Sequence, residues 1–212
     1  MNAQKFTQKS LEAIQEAQNI ATENNNMQIE QEHLVAALLA QENGLIPHML
    51  KKMGVDPAAL QAEIQRKVNA IPAVTGPGRE VGKIYVSPDV DAALTEAENE
   101  AQRMKDEYVS VEHIFLAILS KPNSGLRSVF STFHIEKNAF LSALSSVRGN
   151  TRVTSDNPEE TYDALSKYGQ VPSALTGRMV QAVKSVPTPM TSSLETPASF
   201  RTAGMVWEST SR

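Results

Sequence analysis

Cysteine is missing from all 212 residues, so there is no disulfide framework and no thiol chemistry. Excess charge is also scarce. The formal net charge of -4 gives the chain no overall attraction to nucleic acid or to anionic membranes. Met1 to Ser10 is polar, so no apolar targeting segment opens the sequence. The longest apolar runs, such as Ile114 to Leu119, are far too short to cross a bilayer. No Gly-x-x-x-x-Gly-Lys-Ser/Thr loop occurs, so the backbone cradle and lysine that hold nucleotide phosphates are missing. The His-Glu-x-x-His spacing of a zinc site is absent too. These absences describe a soluble, cytoplasmic protein without catalytic residues, a metal site or a cofactor of its own.

What is present is a repeat. Residues 29–39 read Ile-Glu-Gln-Glu-His-Leu-Val-Ala-Ala-Leu-Leu, and residues 109–119 read Val-Ser-Val-Glu-His-Ile-Phe-Leu-Ala-Ile-Leu. At that offset Thr7 meets Ser87, Ile14 meets Leu94, Ala17 meets Ala97 and Ala21 meets Ala101. Farther on, Leu50 meets Phe130, Leu60 meets Phe140 and Ile64 meets Leu144. Matches at helical spacing over this length indicate an internal duplication of an all-helical unit.

Taken in order, Thr7 caps a first helix with its stripe at Leu11, Ile14, Ala17 and Ala21, ended by Asn24-Asn25-Asn26. Glu30 precedes a second helix reaching about Gln41, stopped by Asn43-Gly44. Pro47 starts a short third helix, and Asp56-Pro57 opens a fourth. Residues 71–86 carry two Pro and three Gly and form a connector without regular helix. Ser87-Pro88, Ser110, Leu126 and Ile135-Glu136 then begin the four helices of the second copy. One copy of about 65 residues has a thin core, whereas two packed copies of about 145 residues close a shared one. The expected fold is all-α: duplicated four-helix repeats, 4–69 and 84–148, related by a pseudo-two-fold axis within a domain at 1–148. Residues 149–161 read as a polar, mobile linker and 162–170 as a final helical fragment. Residues 171–212 hold 17 Ser, Thr or Pro among 42 positions with six charges, which predicts a disordered tail.

The paired Glu-His-Leu and Glu-His-Ile segments, together with Phe6-Thr7 and Ile71-Pro72-Ala73-Val74, resemble the Clp N-terminal repeat domain. The likeness covers residues 4 to about 170, and its details favour the ClpB-type chaperones over the ClpA and ClpC types. Ala164-Leu165-Ser166-Lys167-Tyr168-Gly169 looks like the start of an ATPase module, and after Gln170 the pattern stops. The resemblance implies a domain that binds exposed hydrophobic segments of unfolded or aggregated polypeptides. Full-length relatives use ATP and Mg, form homohexamers and work with a DnaK-type chaperone. A ClpC/ClpA-like docking site for protease adaptors is the alternative. No nucleic acid or membrane partner is implied.

The same resemblance gives Thr7 and Glu112 a role in substrate handling. It implies a groove between the starts of the first and second helices of the two copies. Leu11, Ile14, Val90 and Leu94 are its candidate lining, Ser87 matches Thr7, and His33 and His113 are expected half-buried at the rim. Ile14 and Leu94, taken singly, also fit ordinary core positions. Adjacent helical residues point about 100° apart, so neither Glu-His pair supplies two ligands to one ion. Lys51-Lys52 and Arg148 to Arg152 read as solvated basic patches.

Overall fold

The computed structural model describes residues 3–74, 84–149 and 151–158. The fragment at 162–170 and the tail at 171–212 lie outside the described residues. Among those described, eight α-helices follow a short 3-10 turn, Ala3–Lys5. The first copy holds α1 (Gln8–Glu23), α2 (Gln31–Ala40), α3 (Leu45–Lys52) and α4 (Pro57–Asn69). The second holds α5 (Pro88–Met104), α6 (Val111–Ser120), α7 (Ser124–Thr132) and α8 (Lys137–Arg148).

Most boundaries follow the residues that cap them. Thr7 and Ser87 accept hydrogen bonds from the amides of Ser10 and Val90, and Asp56 accepts from Ala58. Two starts differ from the expected ones. Helix α3 begins at Leu45, because Gly44 takes the cap position and Pro47 still falls in the first turn, where its missing N–H costs nothing. Helix α7 begins at Ser124, because the Asn123 side chain accepts from the Leu126 amide at 2.9 Å and caps the helix earlier.

Helices α2 and α6 form the centre. Every residue of α2 except Ala40 is buried, and so are the first eight of the ten residues of α6. Helices that are apolar nearly all round have no face to give to solvent and take the interior. The outer helices bury one stripe each. That of α1 is Ala13, Ala17 and Ala21, and that of α5 is Ala93, Ala97 and Ala101. Alanine there lets α1 lie close on α2 and α5 close on α6. Phe115 of α6 packs edge-on against Phe130 at 6.0 Å and tilted against Phe140 at 4.9 Å, linking α7 and α8 to the core.

The two copies are joined by an exchange that periodicity does not predict. Two-residue strands β1 (Gln28–Ile29) and β2 (Tyr85–Val86) pair in parallel, and Phe6 bridges to Val109 in the same sense. Each residue before a copy's first helix thus pairs with the residue before the other copy's second helix. The Thr7 amide donates to the Val109 carbonyl at 3.0 Å, and the Ser87 amide donates to the Ile29 carbonyl at 3.1 Å. Helix α3 packs on α8 while α4 packs on α7, a second reciprocal pair. Contacts that are their own mirror under exchange of copies are the mark of a two-fold relation.

Residues 151–158 do not behave as the free tether expected of 149–161. They run irregularly over the domain surface, Val153 is fully buried, and Pro158 is buried as well. Polar composition suggested a linker. Buried apolar side chains and backbone hydrogen bonds, described below, hold its first half down.

Candidate binding site: a buried polar network and an apolar cleft

Each copy builds the start of its second helix around a histidine. The amide of Glu30 donates to His33 Nδ1 at 2.9 Å, and the amide of Ser110 donates to His113 Nδ1 at 3.0 Å. Histidine stands here where a capping box ordinarily has Glu or Gln. Because Nδ1 accepts, the ring proton sits on Nε2. His33 Nε2 donates it to Asn26 Oδ1 at 3.0 Å, and His113 Nε2 donates to Asp106 Oδ2 at 2.9 Å. Burial pushes His33 down to about 4 from the usual 6.5, because a charged ring has no solvent there.

Asn26 and Asp106 occupy equivalent places, seven residues before each histidine, yet they do different work. The Asn26 amide donates onward to the carbonyls of Ile71 and Pro72. Asp106 instead gathers cations and donors. Arg148 Nη2 contacts its Oδ1, and the Val153 amide donates to the same oxygen at 2.9 Å. Burial alone would raise the Asp106 carboxyl. Hydrogen bonds from His113, Arg148 and Val153 outweigh it and hold the carboxyl below its ordinary value.

The two glutamates also diverge. Glu32 reaches across to the second copy, where Asn123 Nδ2 donates to it at 2.8 Å. Gly125 lies so close that a Cβ would collide with Glu32 Oε1. Beside it, Gln31 donates to the carbonyls of Asp89 and Lys121 and accepts from the Asn123 amide at 2.8 Å. Glu112 is fully buried, and neither of its oxygens has a hydrogen-bond partner among the described residues. Arg148 Nη1 stands 3.6 Å from Glu112 Oε1, beyond hydrogen-bonding reach for a nitrogen donor.

A surface cleft of about 760 Å³ opens between α1 and α2. Leu11, Ala13, Ala37 and Ala40 supply its apolar floor, with Gln8 and Gln41 among the polar residues at its edge. Alanine makes the hollow, because small side chains leave space that larger ones would fill. At the repeat offset Leu11 becomes Asp91 and Ala40 becomes Ser120, so the second copy offers a more polar surface at the matching place.

The Clp repeat (R) N-terminal domain family matches this chain over residues 5–133. The chain belongs to that family. Its first 170 or so residues are similar to ClpB chaperone proteins. Identity is 45% over 171 residues to the protein of Nitratidesulfovibrio vulgaris and 41% over 170 residues to that of Bacillus cereus. Each alignment covers 80% of this chain and 20% of the relative, so the chain spans about a fifth of the length of those relatives. The Hsp104 N-terminal domain from Candida albicans shares the fold with a TM-score of 0.64 at 23% identity, covering 73% of this chain and 99% of that one. The ClpD N-terminal domain from Arabidopsis thaliana follows at a TM-score of 0.55 and 16% identity, covering 70% and 98%.

Within this Clp N-domain the residues expected to line a groove between the copies are not brought together at a surface. Thr7, Ser87, Glu112, His33 and His113 are all at most 2% exposed. The histidines expected at a rim sit beneath it, because Nδ1 closes a helix start and Nε2 is bonded to Asn26 or Asp106. Val90 and Leu94 are buried in the core, and Ile14 is half-buried against it. Leu11 alone of the nine lines the cleft, which lies within the first copy. Lys51 and Lys52 are exposed, as solvated residues should be, whereas Arg148 is 7% exposed and tied into the network. Asp106 escaped notice in the sequence, and Arg148 was read there as solvated. The usable signal was the repeat itself: Asp106 falls on Asn26, so one copy carries a buried charge where the other carries a neutral amide. No helix among the described residues is long and apolar enough to cross a membrane.

Proposed function

We propose that this chain is the client-engaging N-domain of a ClpB-type chaperone, binding exposed apolar segments of unfolded or aggregated polypeptides in the α1–α2 cleft. The cleft carries the reading: an open apolar floor bordered by amides and by the carboxylates of Glu12 and Glu16, on a domain where Val74, Tyr85 and Val86 are the exposed large apolar side chains among the described residues. Unfolded chains share little except exposed apolar side chains and free backbone. A shallow floor with adaptable polar edges suits many such segments weakly, at micromolar affinity or about -8 kcal/mol. In the longer ClpB relatives the bound segment passes to an ATP-driven hexameric ring that works with a DnaK-type chaperone, in the cytoplasm. This domain contributes capture and no chemistry.

Leu11→Asp and Ala40→Asp test the proposal. Both positions reach the surface, so both variants keep wild-type helicity by circular dichroism. Each weakens binding of reduced, carboxymethylated α-lactalbumin by about tenfold, the cost of placing a charge on an apolar floor. Wild-type affinity in both variants removes the cleft as the binding site.

A further inference from the structure

Residues 151–156 leave α8 and cross the domain to the start of α1, fastened at three points. Next to α8, Arg148 Nε donates to the Thr151 carbonyl at 2.6 Å. In the middle, the buried Val153 gives its amide to Asp106 Oδ1 and takes the Glu107 amide on its carbonyl, each at 2.9 Å. At the far end, the Gln8 amide donates to the Asp156 carbonyl at 2.8 Å, and Gln8 Nε2 donates to Asp156 Oδ2 at 3.3 Å. Gln8 is the first residue of α1 and also lines the cleft.

We infer that residues 151–156 are a latch that an occupant of the α1–α2 cleft releases. The inference rests on the proposed use of that cleft and adds its regulation. One side chain serves both neighbours: the Gln8 carboxamide points its N–H at Asp156 and is one of the polar groups available to a bound backbone. An occupant that draws this amide into the cleft takes it from the exposed Asp156 carboxylate and leaves the Gln8–Asp156 backbone bond alone to hold that end. Release of the strap removes two acceptors or donors from the network at Asp106 and Arg148. Glu112 answers that loss. Its oxygens accept no hydrogen bond among the described residues and stand in an ion pair 3.6 Å from Arg148 Nη1, so the guanidinium has a second carboxylate to close on. Arg148 meets both carboxylates at once, Asp106 through Nη2 and Glu112 through Nη1, so loss of the strap shifts it from the first toward the second.

Amide hydrogen exchange on the full chain, with and without saturating reduced, carboxymethylated α-lactalbumin, is the experiment. Exchange at Val153 and Glu107 is expected to rise about tenfold on binding, while the core amides of α2 and α6 stay unchanged. Asp156→Ala, at an exposed position, frees Gln8 and is expected to tighten binding about threefold. Unchanged exchange at Val153 and Glu107, or affinity in Asp156→Ala no tighter than wild type, overturns the latch and leaves the cleft standing. Failure of the probe to bind either protein removes the cleft, and the latch with it.

Discussion

Asp106→Asn perturbs the network at its hub with little change of shape. The wild-type carboxylate accepts from His113 Nε2, from the Val153 amide and from Arg148, all in a place without solvent. Removing one charge of a buried pair costs about 3–5 kcal/mol, chiefly because the other charge stays buried. Glu112 lies near enough to take up part of the Arg148 charge, which puts the expected loss at the low end, about 3 kcal/mol. In a domain near 150 residues this lowers the melting temperature by about 6–12 °C. Glu112→Gln behaves differently. Its carboxylate has no hydrogen bond to lose, so alone it costs about 1 kcal/mol or less. In the Asp106→Asn background it removes the other carboxylate that the described residues place beside Arg148, and the two changes together cost about 1–3 kcal/mol more than their sum. Urea titration of the four proteins at pH 7, followed by circular dichroism, reads the cycle. A loss below about 1 kcal/mol for Asp106→Asn, or additivity within about 0.5 kcal/mol, refutes the shared-arginine account.

Acid tests the other copy. His33 is held neutral at about 4 in the folded state against 6.5 when unfolded, so the unfolded chain binds the extra proton between those values. Its contribution of about 3 kcal/mol is full above pH 6.5 and is lost as pH falls toward 4; His33→Gln should flatten that slope in urea midpoints. The depressed Asp106 carboxyl adds a second loss in the same direction at lower pH. Thr7→Ala removes the α1 cap and costs about 1 kcal/mol, visible as a lower urea midpoint with the same slope. Ending the chain after Gly149 rather than after Pro158 uncovers the Val153 site and strands the Asp106 acceptor, at a cost of about 2–4 kcal/mol. Equal melting temperatures for the two lengths would show that the strap contributes nothing to stability.

Much of the fold was legible because its rules are local. Helix starts at Thr7, Asp56-Pro57, Ser87-Pro88 and Ser110 rest on short-range capping, and the duplication fixed which helices correspond. The site was less legible. Thr7, Ser87, His33 and His113 were expected at the surface of a groove, and they lie inside. Spacing along the chain does not distinguish a polar group facing solvent from one sealed beneath a neighbouring strand. The short β1–β2 pair and the Phe6–Val109 bridge provide that seal, and two residues are too few to show a strand period.

The 212 residues by themselves determined the helical class and the doubling of the unit, since each depends on residue type at fixed short spacing. Tertiary structure alone decided that the glutamates part company. Glu32 meets Asn123, some 90 positions away, while Glu112 lies unbonded beside Arg148. It also decided that an apparent linker is a strap. Both outcomes depend on which distant groups packing brings together to satisfy a buried charge, and that choice is made only when the core closes.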